Sequence, residues 1–182
     1  MKSKRYSAAS SPVKMSLFVT GGYNGQIRPW YDHVNQVGEY GHIGIGRLST
    51  TEYVNADGTI TAGPPLPTPR SSHCMVTLSS RYIIILGGHG SENFKSAIIF
   101  DADTNTYNTE VPSMNYKRTY AGCALIKRSP MHNNRPVVLA VGGYGQATAE
   151  VYDYTQPNAE WQKSKHIRET GVIRETMNHD LN

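Results

Sequence analysis

Of the side chains able to do chemistry, this chain is richest in tyrosine (12) and histidine (7). The two types converging from separate loops could hold copper, and exposed aromatics suit contact with a protein surface. The densest group is Trp30, Tyr31, His33, Tyr40 and His42, set among glycines between residues 23 and 48. Asp101-x-Asp103-x-Asn105 spaces oxygen ligands as the start of a calcium loop does. Thr106 follows where that loop needs Gly, and Pro112 stands in place of its bidentate glutamate, so the segment reads as a turn between strands. Gly41-x-x-Gly44-x-Gly46 reverses the dinucleotide fingerprint and lacks its strand and helix. No metalloprotease motif, nucleophile elbow or phosphate cradle occurs. The sequence therefore assigns no catalytic residue, no metal ligand and no cofactor.

What would position any functional side chain is a repeat. Three stretches open near an arginine and run to a glycine pair: Arg5 to Gly21-Gly22, Arg70 to Gly87-Gly88, and Arg118 to Gly142-Gly143, at offsets of 16, 17 and 24 residues. The first and third share Met-x-x-Lys-Arg, from Met1 and Met114. A period near 50 residues that ends an apolar run on Gly-Gly marks a propeller blade. The middle repeat predicts strands at 73–78, 81–86, 96–100 and 106–109, the second being a continuous apolar run suited to burial on both faces. The third predicts strands at 123–126, 136–141 and 148–152, with a polar loop over 127–135 and a turn at 156–158 leading to Trp161. The first predicts 6–9, 16–20, 50–54 and 59–61, with Asp57-Gly58 as a hairpin turn. The fold class expected is all-β: three consecutive four-stranded antiparallel blades at about 1–65, 66–113 and 114–161, then a polar, weakly ordered tail over 162–182 with no fourth Gly-Gly.

The apolar runs into Gly-Gly, the spaced aromatics Phe100…Tyr107 and Tyr152…Trp161, and the arginine opening each unit resemble the kelch repeat over residues 1–161. The aromatic spacing is 7 in the second unit and 9 in the third, while Tyr53 of the first has no such partner. The resemblance implies an incomplete β-propeller, because closed rings have four to eight blades. The chain then reads as a fragment of a larger ring, completed by missing blades or by self-association. The resemblance also implies structural roles for Gly21, Gly22, Gly87, Gly88, Gly142 and Gly143, for Trp161, and for Arg5, Arg70 and Arg118 as donors to loop carbonyls.

In kelch domains the partner-binding face is built from the loops after the arginine and after Gly-Gly. Carried to this chain, the first set gives Ser7, Ser72 and Tyr120; the second gives Tyr23, Asn24, His89, Ser91, Tyr144 and Gln146. Trp30 and Tyr31 join them because an insertion of about 20 residues rich in aromatics reads as a functional loop. The function expected is a protein–protein interaction module that binds a protein or peptide partner, as a scaffold or a substrate adaptor. Kelch domains serve in cullin-based ubiquitin ligase complexes or bind actin, and no BTB or BACK-like helical region stands in these 182 residues. The alternative expectation is a fragment of a galactose-oxidase-like copper enzyme.

The net charge is +4. Basic residues such as Lys163, Lys165, Arg168 and Arg174 alternate with Glu169, Glu175 and Asp180, which argues against a nucleic-acid face. No run approaches the ~18 apolar residues of a membrane span. Cys74 and Cys123 follow their arginines by four and five residues. They read as small buried thiols rather than a bridge, which favours a reducing, cytoplasmic setting.

Overall fold

The computed structural model of the chain describes residues 4–24 and 46–164. Trp30 and Tyr31, and the expected tail beyond residue 164, lie outside them. Among the described residues there are twelve strands in three four-stranded antiparallel sheets, none closed into a barrel. The first sheet holds β1 (Ala9–Val13), β2 (Ser16–Thr20), β3 (Thr51–Asn55) and β4 (Ile60–Gly63). The second holds β5 (Cys74–Thr77), β6 (Tyr82–Leu86), β7 (Ala97–Asp101) and β8 (Thr106–Asn108). The third holds β9 (Gly122–Ser129), β10 (Arg135–Val141), β11 (Ala149–Tyr152) and β12 (Gln162–Lys163). Strand order within each sheet is chain order.

The sheets stack as consecutive wedges, with β1 beside β5 and β5 beside β9. The middle sheet is therefore covered on both sides, which explains its apolar β6. Ile83 and Ile85 pack with Val13, Phe18, Leu66, Ile98 and Phe100 against the first sheet. Ile84 and Leu86 point the other way, to Val138, Ala140, Tyr152 and Trp161 of the third. Alternate residues of a strand face opposite sides, so one run fills two cores. Phe18 stacks on Phe100 at 4.4 Å between centroids. The strand-end aromatics also reach back one sheet: the Tyr107 hydroxyl donates to the Pro64 carbonyl (2.8 Å) and the Trp161 indole N–H to Pro112 (2.9 Å).

Arginine and diglycine form the recurring joint. Arg5, Arg70 and Arg118 each donate to the carbonyl of the first glycine of their own sheet's pair, at 2.9, 2.9 and 2.6 Å. The second glycine's N–H then donates to the next sheet's arginine carbonyl: Gly22 to Arg70 (2.9 Å) and Gly88 to Arg118 (2.7 Å). Gly21 and Gly87 hold φ of 57° and 60°, and a Cβ built on either would overlap the next arginine's carbonyl oxygen. Only glycine meets both demands.

The structure departs from the sequence reading in several places. The first strand is Ala9–Val13 rather than 6–9 and contains Pro12. It is an edge strand, where proline's missing donor is tolerated. The polar loop expected over 127–135 is shorter, because β9 runs on to Ser129 and a 3-10 turn at Pro130–His132 leads back to Arg135. Gln162–Lys163, placed in the tail by sequence, pair with β11 as the third sheet's outer strand. Tyr53 packs on Phe18 of β2 at 4.8 Å, while β4 carries no aromatic at the place that Tyr107 and Trp161 fill in the other two units.

The largest correction concerns the cysteines. Cys74 and Cys123 form a disulfide, with Cα atoms 6.1 Å apart. Cys74 pairs with Leu86, one residue before its glycine pair, whereas Cys123 pairs with Ala140, two residues before its own. That single step turns the two side chains to opposite faces of their strands, and thus toward each other across the joint between sheets. With no free thiol left among the described residues, the argument for a reducing compartment falls.

Candidate functional site

The loops after each arginine and after each glycine pair lie at one end of the three sheets. Short bridges tie them together: Tyr6 pairs with Tyr23, Tyr23 with Arg47, Ser71 with His89, and His89 with Asn93. In the third sheet the Tyr144 N–H donates to the Thr119 carbonyl at 2.7 Å. Ser7, Ser72 and Tyr120 occupy equivalent places, all with left-handed backbones at φ 51°, 55° and 59°. A line of hydrogen bonds passes through them, from the Ser72 N–H to the Ser7 carbonyl (2.8 Å) and from the Tyr120 N–H to the Ser72 carbonyl (2.9 Å). A non-glycine residue with positive φ persists only where its surroundings hold it, and here the neighbouring sheet does so.

This belt presents aromatic side chains to solvent. Tyr120 is 68% exposed, Tyr144 78% and Tyr6 62%. Ser7, Asn24 and Ser91 are exposed, while Tyr23, Ser72, His89 and Gln146 are half-buried on the same loops. Tyr6 and Arg47 were missed by sequence reasoning. Arg47 lies at the end of the long insertion and bridges to Tyr23; burial lowers the pKa of its guanidinium, while Tyr23 and Tyr120 sit within electrostatic reach of it. The signal for Tyr6 was its place beside the repeat's arginine; nothing in the spacing marked Arg47.

The arginines that open each repeat are not on that surface. Arg70 and Arg118 are 1% exposed, and Arg118 binds Glu150, itself 0% exposed, through Nε and Nη2 at 3.1 and 2.9 Å. The same carboxylate accepts from the N–H groups of Asn115 and Tyr116. Arg5 meets Glu52 at 3.4 Å. Asp101, which opened the calcium-like spacing, accepts from Arg81 at 2.8 and 2.5 Å, and that hydrogen bond holds its carboxyl well below the usual range. Lys14 takes Asp103 at 2.8 Å. Those carboxylates lock a turn. Among the described residues no three His, Cys, Asp or Glu side chains converge as a metal site would need. No protein-family model matches the chain, and no curated protein matches it.

Proposed function

We propose that this chain is a protein-interaction module of the kelch propeller type, holding a protein or peptide partner on its loop face. The observation that carries the reading is the pair Tyr120 and Tyr144, largely exposed on backbone fixed by hydrogen bonds between and within sheets. Rigid, amphipathic tyrosines offer a large contact area at little entropic cost, and the serines, Asn24 and His89 around them supply hydrogen bonding. Arg47, bridged to Tyr23, adds a cation to the same loops. A scaffold or substrate-adaptor role, including one in a ubiquitin ligase complex, is compatible with such a face. No observation favours the copper-enzyme alternative.

The test is affinity capture with quantitative mass spectrometry, comparing the native chain with Tyr120→Ala/Tyr144→Ala. Proteins enriched by the native chain should be lost from the double variant, while its melting temperature stays unchanged because both side chains are exposed. An identical set of captured proteins would refute the assignment of this face.

A further inference from the structure

The joint between sheets is used twice within the chain, and each half of it is left over once. The third sheet carries the donor half: among the described residues, the Gly143 N–H has no carbonyl to match those that Arg70 and Arg118 give to Gly22 and Gly88. The first sheet carries the acceptor half, the Arg5 carbonyl, with no glycine N–H upon it among the described residues. Among the described residues the belt ends likewise, with no backbone partner for the Tyr120 carbonyl at one end or the Ser7 N–H at the other. A Cβ at Gly142 would meet nothing nearer than 3.7 Å, in the space that the following arginine's carbonyl fills beside Gly21 and Gly87. The two outer faces are apolar rather than capped: Ala124 and Ile126 are exposed on one, Pro12 and Leu17 on the other. Terminal repeats without polar caps need cover.

We propose that the outer face of the third sheet is covered by the first sheet of a second copy, and that the reciprocal contact closes a two-copy ring of six sheets. The Gly143 N–H meets the Arg5 carbonyl of the second copy, and the Ser7 N–H of the second copy meets the Tyr120 carbonyl. The occupant is this chain itself because its first sheet bears, in the same register, the backbone groups that the second and third sheets use on their predecessors. A head-to-tail contact made twice about a twofold axis closes instead of growing. Six sheets fall within the four to eight of closed propellers.

The native disulfide supplies the register for a test. Cys74 stands opposite the residue before its glycine pair, and Gly122 stands likewise opposite Val141. Cys123 stands opposite the residue two before, as Ser10 does opposite Val19. Ser10→Cys/Gly122→Cys should therefore give a reductant-sensitive covalent dimer on electrophoresis, and the out-of-register pair Pro12→Cys/Gly122→Cys should not. The native chain should sediment at twice 20.1 kDa. Gly142→Ala, whose Cβ would meet the second copy's Arg5 carbonyl, should stay folded by circular dichroism yet sediment as a monomer. A native chain that is monomeric or forms open chains, equal cross-linking by both cysteine pairs, or a dimer unaffected by Gly142→Ala would each overturn the proposal.

Discussion

The middle sheet contains a buried arginine without an acid, and this difference from its neighbours can be measured. Opposite the residue two before each glycine pair stand Glu52, Ile98 and Glu150. Arg118 is thus answered by Glu150 and Arg5 by Glu52, while Arg70 has the Gly87 carbonyl, the Ser96 hydroxyl and the Phe94 ring at 4.9 Å. Burial lowers the pKa of Arg70 from its ordinary value to about 10. At about 1.4 kcal/mol per unit, this is roughly 3 kcal/mol of unfavourable desolvation. Arg70→Met removes that penalty together with two charge-assisted hydrogen bonds of about 1.5–3 kcal/mol each, for a net cost of about 0–3 kcal/mol. Arg118→Met instead leaves the buried Glu150 side chain without its cation, with only the Asn115 and Tyr116 donors, which costs about 3–5 kcal/mol. Ile98→Glu should be tolerated because it gives Arg70 the missing carboxylate, whereas Ile84→Glu, 0% exposed in the other core, should unfold the chain. Urea unfolding followed by circular dichroism, with unchanged slopes, reads these differences. Equal losses for Arg70→Met and Arg118→Met, or an Ile98→Glu as damaging as Ile84→Glu, would refute the reasoning.

Two further outcomes follow from the joints between sheets. The disulfide spans a sequence separation of 49 residues, for which loop-closure entropy gives about 4 kcal/mol. Reductant or Cys74→Ser should lower the urea-derived stability by up to that amount, and a loss under about 1 kcal/mol would contradict a cross-link in the native state. His73 is buried with Nε2 2.7 Å from the Thr20 hydroxyl, and burial, then the Arg70 charge, push its pKa down to about 3. Between pH 6.5 and 3 the unfolded chain binds the extra proton, so stability is full above 6.5 and falls as pH falls, by about 1.4 kcal/mol per unit. His73→Gln should remove that part of the slope, and parallel pH profiles for the two proteins would exclude it.

Much of this architecture was legible because a repeat states its pattern three times. The Gly-Gly pairs, the apolar β6 and the spaced aromatics each mark a position that recurs, so errors in one unit are visible against the others. What escaped reading depended on the next sheet. Pro12 hid β1, since proline argues against a strand until that strand is known to lie at an edge. The cysteines looked equivalent because an offset of four against five seems trivial in sequence, yet in a strand one step reverses the face. Nothing in the sequence marked Glu150 as buried; its burial is set by Arg118, 32 residues away, and by the Asn115 and Tyr116 N–H groups. On the loop face, Ser72 and Tyr120 could be found from their place in the repeat, but Arg47 could not, because the insertion before it has no counterpart.

The central claim is that the three sheets are successive wedges joined through arginine and diglycine. Site-resolved amide hydrogen exchange tests it most directly, at Gly22 and Gly88, whose N–H groups donate to the Arg70 and Arg118 carbonyls of the following sheet. The account predicts that both amides exchange as slowly as those of the core strands. Exchange at the two glycines as fast as at exposed Gly58, in a chain whose strand amides remain protected, would contradict it.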